Sequence, residues 1–283
     1  MPPVPPVIAL EVWGADADQL VSTAIRAEDL GFAAVYYGES PPGGPNLECW
    51  TVLAALARLT SRIRLGPVIA NALPTWRHPA LLVHQALTVA ALSGGRLDLR
   101  TGAGAAARFG RRWWEPHGVG YPAYDQRLTD LVALLDTLDR SRPGSVPVTI
   151  AATGSRAMAL AAGRADCWET SFATPVELAG RYREMHRMSA GRPIVCSLEI
   201  DGFVASTPAR VDRLLARVRS DRADEDLEPV LARALVGTPA DVEVRLAELA
   251  RAGADQLVVA LHDPHDPDAL EALATAVSRA TGR

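Results

Sequence analysis

The residues of this chain best suited to chemistry are carboxylates that end short apolar runs. Glu11 closes the run Val7 to Trp13, Glu39 follows Ala33 to Gly38, and Glu199 and Asp201 sit within Ile194 to Val204. A carboxylate held in an apolar mouth has a raised pKa and can hand a proton to a substrate near neutral pH. The plainer alternative is a structural acid paired with an arginine. Ser40, next to Glu39, is either a ligand contact or a turn residue. Two glycine-bearing segments complete the set: Thr101-Gly102-Ala103-Gly104-Ala105 and Ala152-Thr153-Gly154-Ser155. Such loops let bare backbone N–H groups approach an anionic ligand at a helix N-terminus, and each is equally a short strand-to-helix turn. Asn71 is a ligand contact or a loop cap.

These residues need elements to position them, and the chain alternates β-rich runs with helical periods throughout. A helix opened near Asp16 or Asp18 carries Leu20, Ala24, Ala27 and Leu30 on one face and stops at Gly31. Further strands are read at Ala33–Gly38, Ile63–Asn71, Leu97–Thr101, Val148–Ala152, Cys167–Thr170, Ile194–Val204 and Gln256–Leu261. The run Ile63–Asn71 is almost wholly apolar, as a strand buried on both faces should be. Helices are read at Cys49–Leu59, Pro79–Leu92, Asp125–Asp139, Ser155–Gly163, Pro175–Ser189, Pro208–Arg219, Asp241–Ala252 and Asp266–Ala280. The stretch between Thr101 and Asp125 reads as irregular. Eight strands in 283 residues give about 35 residues per unit, the spacing of a closed parallel (β/α)₈ barrel. A doubly wound open sheet fits less well, because no glycine fingerprint follows the first strand. No linker or composition shift divides residues 1–283, so one barrel domain is expected. In a barrel, the C-terminal strand ends carry the chemistry, and the candidates above all fall there, with Trp13.

Composition narrows the class. The chain is 48% hydrophobic and 22% charged, the balance of a soluble enzyme. A net charge of −4 argues against generic nucleic-acid binding. No apolar run is long enough to span a bilayer, and the Pro-rich start lacks the features of a signal peptide, so the cytoplasm is expected. Cys49, Cys167 and Cys196 make neither a disulfide frame nor a metal spacing, and the six histidines show no ligand spacing; His262 and His265 read as surface. All 29 basic residues are arginine, which excludes lysine Schiff-base and P-loop chemistry.

Several segments, in order, resemble the bacterial-luciferase-like superfamily: Ala27-Glu-Asp-Leu-Gly-Phe-Ala-Ala-Val-Tyr-Tyr-Gly-Glu39, Leu56 to Val68, His78-Pro-Ala80, Leu92-Ser-Gly-Gly-Arg-Leu97, Ile150 to Asp166, Gly237-Thr-Pro-Ala-Asp-Val242 and Ala252 to Val259. The resemblance covers nearly the whole chain and implies a (β/α)₈ barrel binding a flavin or deazaflavin. Ala9-Leu-Glu-Val12, Leu65-Gly-Pro-Val-Ile-Ala-Asn71 and Thr101-Gly-Ala-Gly104 are most similar to the methylenetetrahydromethanopterin-reductase-like branch, which uses the deazaflavin coenzyme F420. That likeness implies an F420H₂-dependent reductase passing a hydride to a C=N or C=C bond of a small substrate, and a homodimer.

It further implies catalytic roles for Glu11, Glu39 and Ser40, and substrate contacts for Trp13 and Glu199. Cofactor contacts are implied for Val68, Ile69, Ala70, Asn71, Gly102, Ala103, Gly104, Ala152, Thr153, Gly154 and Ser155. A non-prolyl cis peptide is implied at Val68–Ile69, behind the cofactor ring. Arg108, Arg111 and Arg112, in a basic aromatic loop, would receive the anionic tail of F420, unless that loop is simply solvated or an oligomer contact. Three positions depart from the family: Ser40 stands where a histidine is frequent, Ala105 where one branch has a glutamate, and Gly154-Ser155 where Gly-Pro is common. These departures keep two alternatives open, an FMNH₂-dependent monooxygenase and a non-catalytic flavin-binding barrel.

Overall fold

Alternating strands and helices build the molecule, and the helix starts follow from local capping. Strand β1 (Val7–Val12) leads to α1 (Ala17–Asp29), where Asp16 accepts from the N–H groups of Asp18 and Gln19, both at 3.0 Å. Next come β2 (Ala34–Tyr37) and α2 (Cys49–Leu59), the latter capped by Glu48. The third stave is β3 (Arg64–Pro67) and β4 (Ala70–Asn71), and α3 (Pro79–Leu92) follows. Then β5 (Leu99–Gly102), α4 (Ala107–Trp114), α5 (Tyr124–Ser141), β6 (Val148–Ala151) and α6 (Ser155–Arg164) run in order. The chain continues through β7 (Cys167–Ser171), α7 (Pro175–Met188), β8 (Val195–Val204), α8 (Pro208–Asp221) and α9 (Glu228–Leu231). It ends with β9 (Leu235–Gly237), α10 (Pro239–Arg251), β10 (Gln256–Leu261) and α11 (Pro267–Thr281). This computed structural model describes residues 4–42, 44–141 and 146–282; Met1 to Pro3 of the Pro-rich start lie outside the described residues.

Every described strand pairing is parallel, in the order β3-β2-β1-β10-β8-β7-β6-β5-β4. The two end strands are consecutive pieces of one stave, and a parallel bridge from Leu65 to Leu97 links β3 to the chain entering β5. The sheet therefore curls into a nearly closed barrel ringed by helices, as the strand spacing implies. The expected single strand Ile63–Asn71 is instead two pieces, β3 and β4, with the cis Val68–Ile69 peptide between them.

Two further elements differ from the sequence reading. Strand β9 pairs with the end of β8 through Gly202 to Val204 and was not anticipated, being only three residues long. The stretch read as irregular contains α4, so the basic aromatic segment is helical. Gly110 in its middle disguised it, since glycine is a poor helix former. His265 is also not a surface residue: it is half-buried, 2.7 Å from Thr23 Oγ1 through Nδ1 and 3.0 Å from the carbonyl of Trp13 through Nε2.

The main hydrophobic core lies between sheet and helices, where Leu10, Val35, Leu53, Leu65, Leu131, Ile200 and Leu246 pack. The barrel interior is different. Beside a small apolar cluster of Ala9, Ala34, Tyr36 and Val258, it holds a polar lattice. Arg100 bonds Glu169, reaches Asp98 and Ser197 at 3.1 Å each, and lies 4.1 Å from the Tyr36 ring centre. Tyr36 donates to Asp98 at 2.8 Å, Thr149 to Asp98 at 3.0 Å, and Ser197 to Glu169 at 3.1 Å. Each buried ion therefore has several partners, as burial demands.

Candidate active site

The cavity at the C-terminal strand ends has a volume of about 380 Å³. Glu39, Val68, Ile69, Asn71, Ala103, Gly104, Ala152, Thr153, Gly154 and Glu199 all line it, so most of the residues chosen from the sequence meet in one place. Gly102 and Ala70 pair with each other's strands just below this rim, and Ser155 opens α6 beside Gly154. Glu11, Trp13 and Ser40 do not line the cavity. Ser40 donates to the carbonyl of Asn46 at 3.4 Å, which makes it part of the turn after β2.

Each wall has a local cause. On one side Glu39 accepts from the backbone N–H of Asn71 at 2.8 Å and from its Nδ2 at 3.2 Å. The same carboxylate pairs with buried Arg77, which also reaches Glu48 at 3.1 Å. Glu39 thus fixes Asn71, two residues beyond Ile69. On the next side, the loop after β5 is tied down from α5. Arg127 donates from Nε to the carbonyl of Ala103 at 2.6 Å and from Nη2 to that of Ala105 at 2.9 Å. Gly104 lies in that loop at φ +76°, where an added Cβ would stand 2.4 Å from the Tyr121 hydroxyl oxygen. Only glycine suits both the backbone and the space.

The third wall is the turn from β6 into α6. The Ala152 carbonyl accepts from Trp168 Nε1 at 2.8 Å, and the Ala152 N–H donates to the Glu169 carbonyl at 2.9 Å. Helix α6 begins at this wall, with Gly154 as N-cap and no side-chain cap bond. Its first N–H groups thus keep their capacity for an anion, and Thr153, Gly154 and Ala157 line the cavity beside them. A phosphorylated planar ring system fits this donor set: bare amides on one side, the Val68–Ile69 segment on another.

On the opposite side of the mouth lie three carboxylates. Glu11 and Asp201 both register with Ala260, one from each neighbouring strand of β10, and Glu199 lies two residues below Asp201. Burial, and then the nearby negative charges of Glu199 and Asp201, push the Glu11 pKa well above the ordinary carboxylate value; Arg100 only partly offsets them. Glu199 is raised too, chiefly by burial, although it accepts from Ser171 at 2.8 Å and feels Arg100. Asp201 is raised mainly by burial. Arg100 partly offsets Glu11 and Glu199, and Arg222 and His262 partly offset Asp201, but burial outweighs them in each case and favours the protonated acid.

Sequence reasoning passed over Tyr124, Ala151, Ala157 and Ser171, which also line the cavity. Ser171 was within reach, since it follows Glu169 by two on one strand and so shares its face. Nothing in the local sequence marked Tyr124. The arginines expected to receive a cofactor tail are dispersed on α4: Arg108 packs 4.6 Å from the Phe109 ring centre, and Arg111 pairs with Glu115 at 3.7 Å.

Comparison with known proteins follows the same lines. The profile of the family described as luciferase-like monooxygenase matches residues 6–224. A Mycobacterium tuberculosis protein named for coenzyme F420-dependent oxidoreductase activity is 27% identical over 216 residues, covering 66% of this chain and 60% of its own. The 5,10-methylenetetrahydromethanopterin reductase of Archaeoglobus fulgidus is 28% identical over 159 residues, covering 50% of this chain and 45% of that protein. The chain thus spans less than two thirds of the length of these curated relatives. Among solved structures, an F420-dependent secondary alcohol dehydrogenase bound to an F420–acetone adduct superposes with a TM-score of 0.79 at 15% identity, over 98% of this chain and 99% of that one. With a profile match across most of its length and the barrel to go with it, this chain belongs to the luciferase-like monooxygenase family.

Proposed function

We propose that the chain is an F420H₂-dependent reductase acting on a C=N or C=C bond of a small molecule. The observation that carries this reading is the convergence, around one cavity, of the uncapped start of α6, the Gly104 loop and the Val68–Ile69 segment. The names of the two sequence relatives, both tied to F420 or to methanopterin reduction, favour the deazaflavin.

Thr153, Gly154 and Ser155 would hold the phosphate by backbone and hydroxyl donors. Gly102, Ala103, Gly104 and Ala152 would let the ring system approach the main chain, and Val68, Ile69, Ala70 and Asn71 would back it. When bound, the deazaflavin supplies a hydride from ring C5; positioning and electrostatics fall to the protein. Glu11, kept protonated by burial and by its acidic neighbours, would give its proton to the substrate nitrogen or carbon. Glu39 acts through Asn71, which it holds in place, and Ser40 keeps the adjoining turn. Glu199 borders the space left for substrate, whereas Trp13, expected to contact it, lies outside that lining. We place the enzyme in the cytoplasm, which suits its three buried free cysteines. A homodimer is in keeping with the exposed Leu59, Leu81 and Leu92 on neighbouring helices α2 and α3.

The rival reading, an FMNH₂-dependent monooxygenase, draws on the description of the family profile, and the same α6 N-terminus suits the phosphate of FMN. Titration of the purified protein with F420 and with FMN, followed by anaerobic oxidation of F420H₂ with candidate imines, separates the two. Binding of F420 with imine-dependent oxidation is the expected result. Tight FMN binding without affinity for F420 would replace the reductase by the oxygenase.

A further inference from the structure

A second concavity opens beside the ring cavity. Its volume is about 490 Å³, and Asn71 and Ala105 belong to the linings of both. Its walls are aromatic: Phe109, Trp113 and Trp114 from α4, faced by Tyr121. Such a volume lies within the range of small-molecule pockets, and aromatic walls with few polar groups are typical of them.

The cleft is built rather than accidental. Trp114 is buried against Leu73, Val119 and Tyr121, and its ring centre lies 5.3 Å from that of Trp76. This contact fixes α4. A Cβ at Gly110 would fall 2.0 Å from the Tyr121 ring, so glycine in mid-helix is what allows that ring to lie against the α4 backbone. Tyr121 in turn donates to the carbonyl of Ala105 at 2.8 Å, which bolts the cleft to the Gly104 loop of the ring cavity. Phe109 and Trp113 remain 57% and 43% exposed at the rim.

Charge adds the second half of the argument. Of the three arginines on α4, Arg108 covers Phe109 and Arg111 pairs with Glu115. Arg112 lines the cleft and has no ion-pair partner among the described residues. An aromatic-lined cleft with an unpaired guanidinium in its wall suits an aromatic ring carrying a carboxylate.

We propose that this cleft is a binding subsite for a planar aromatic acid, with the ring between Phe109, Trp113 and Tyr121 and the carboxylate on Arg112. A molecule held there would extend its remaining part past Asn71 and Ala105 toward the ring cavity. Its identification as the reductase substrate rests on the function proposed above, whereas the ligand chemistry of the cleft does not.

The test is calorimetric titration of the full chain with 2-naphthoate and with its neutral amide, 2-naphthamide, each in parallel with F420 and FMN titrations. The expected result is tighter binding of the acid. R112Q should weaken 2-naphthoate by about tenfold and leave 2-naphthamide unchanged. The double variant F109A/W113A, at exposed positions that spare the fold, should weaken both by about tenfold or more. Affinity for F420 or FMN should stay at the parent value in both variants. Equal affinity for acid and amide, or no effect of R112Q, would overturn the carboxylate site. Competition of 2-naphthoate with F420 would give the cleft to the cofactor tail. Loss of dimer by F109A/W113A with unchanged naphthoate binding would give it to a second copy. Binding of 2-naphthoate by a protein without F420 affinity would keep the subsite and remove only the reductase.

Discussion

Arg100 and Glu169 form an ion pair in the middle of the barrel, and neither side chain has any exposure to solvent. The pair is the hub of the lattice beneath the active mouth: Ser197 bridges both partners, and Asp98 neutralises the guanidinium from the other side. Arg100 is also the cation that partly offsets the charge of Glu11 and Glu199 above it.

Removing one partner leaves a buried charge unpaired, so E169A should lower the unfolding free energy by about 3–5 kcal/mol. The triple variant D98N/R100M/E169L should recover much of that loss, because neither the guanidinium nor its two paired carboxylates then remain to be desolvated. Chemical denaturation curves of the three proteins check this. Recovery that fails to appear would mean that the lattice, rather than the pair, sets the cost.

The Arg127 clasp invites a second prediction. Its buried guanidinium bonds three carbonyls, those of Ala103, Ala105 and Pro122. R127M should destabilise the protein by roughly 3 kcal/mol, since charge-assisted bonds to otherwise unsatisfied carbonyls are lost. The freed Gly104 loop should bind cofactor more weakly, by about tenfold for each ~1.4 kcal/mol of ordering then demanded at binding. Fluorescence titration with F420 or FMN measures it. An unaltered affinity would show that the loop keeps its shape without the clasp.

Glu11 makes a pH-dependent prediction whose sign is determined by its environment. Its pKa in the folded state lies above the unfolded value, since burial and its acidic neighbours Glu199 and Asp201 outweigh Arg100. Below the unfolded pKa both states are protonated and Glu11 costs nothing. As the pH rises through that value the unfolded chain ionises first, and stability falls until the folded pKa is passed. E11Q should therefore be more stable than the parent above about pH 5, with the two converging in acid. Turnover of E11Q should drop by at least about 100-fold, in the range of general-acid contributions, while cofactor affinity is retained. Thermal melts across pH, read beside anaerobic F420H₂ oxidation, test the two parts separately. Full turnover in E11Q would clear Glu11 of proton transfer.

Much of this was legible in the residues themselves. The barrel followed from the regular spacing of apolar runs and helical periods, because each βα unit carries its own pattern and turn chemistry. The rim could be picked out as well, since a residue at the end of an inferred strand lies at the catalytic end of any such barrel; Asn71, Gly104 and Gly154 reached the cavity for that reason. Their neighbours in sequence divided differently. Glu39 and Ser40 are adjacent, yet one lines the cavity and the other bonds the carbonyl of Asn46, because both lie past the end of β2, where the turn and not strand alternation directs each side chain.

What the tertiary structure alone decided are relationships across long separations. Arg100 meets Glu169 and Ser197, and Arg127 closes on a loop more than a helix away, only once the barrel shuts. No local pattern distinguishes these arginines from the others in a chain where every basic residue is arginine. The helix α4 belongs to the same class: Gly110 speaks against it locally, and the Tyr121 ring packed on that glycine explains it globally. Short-range order is set by each residue and its neighbours, whereas the partner of a buried charge is set by which strands the closing sheet brings together.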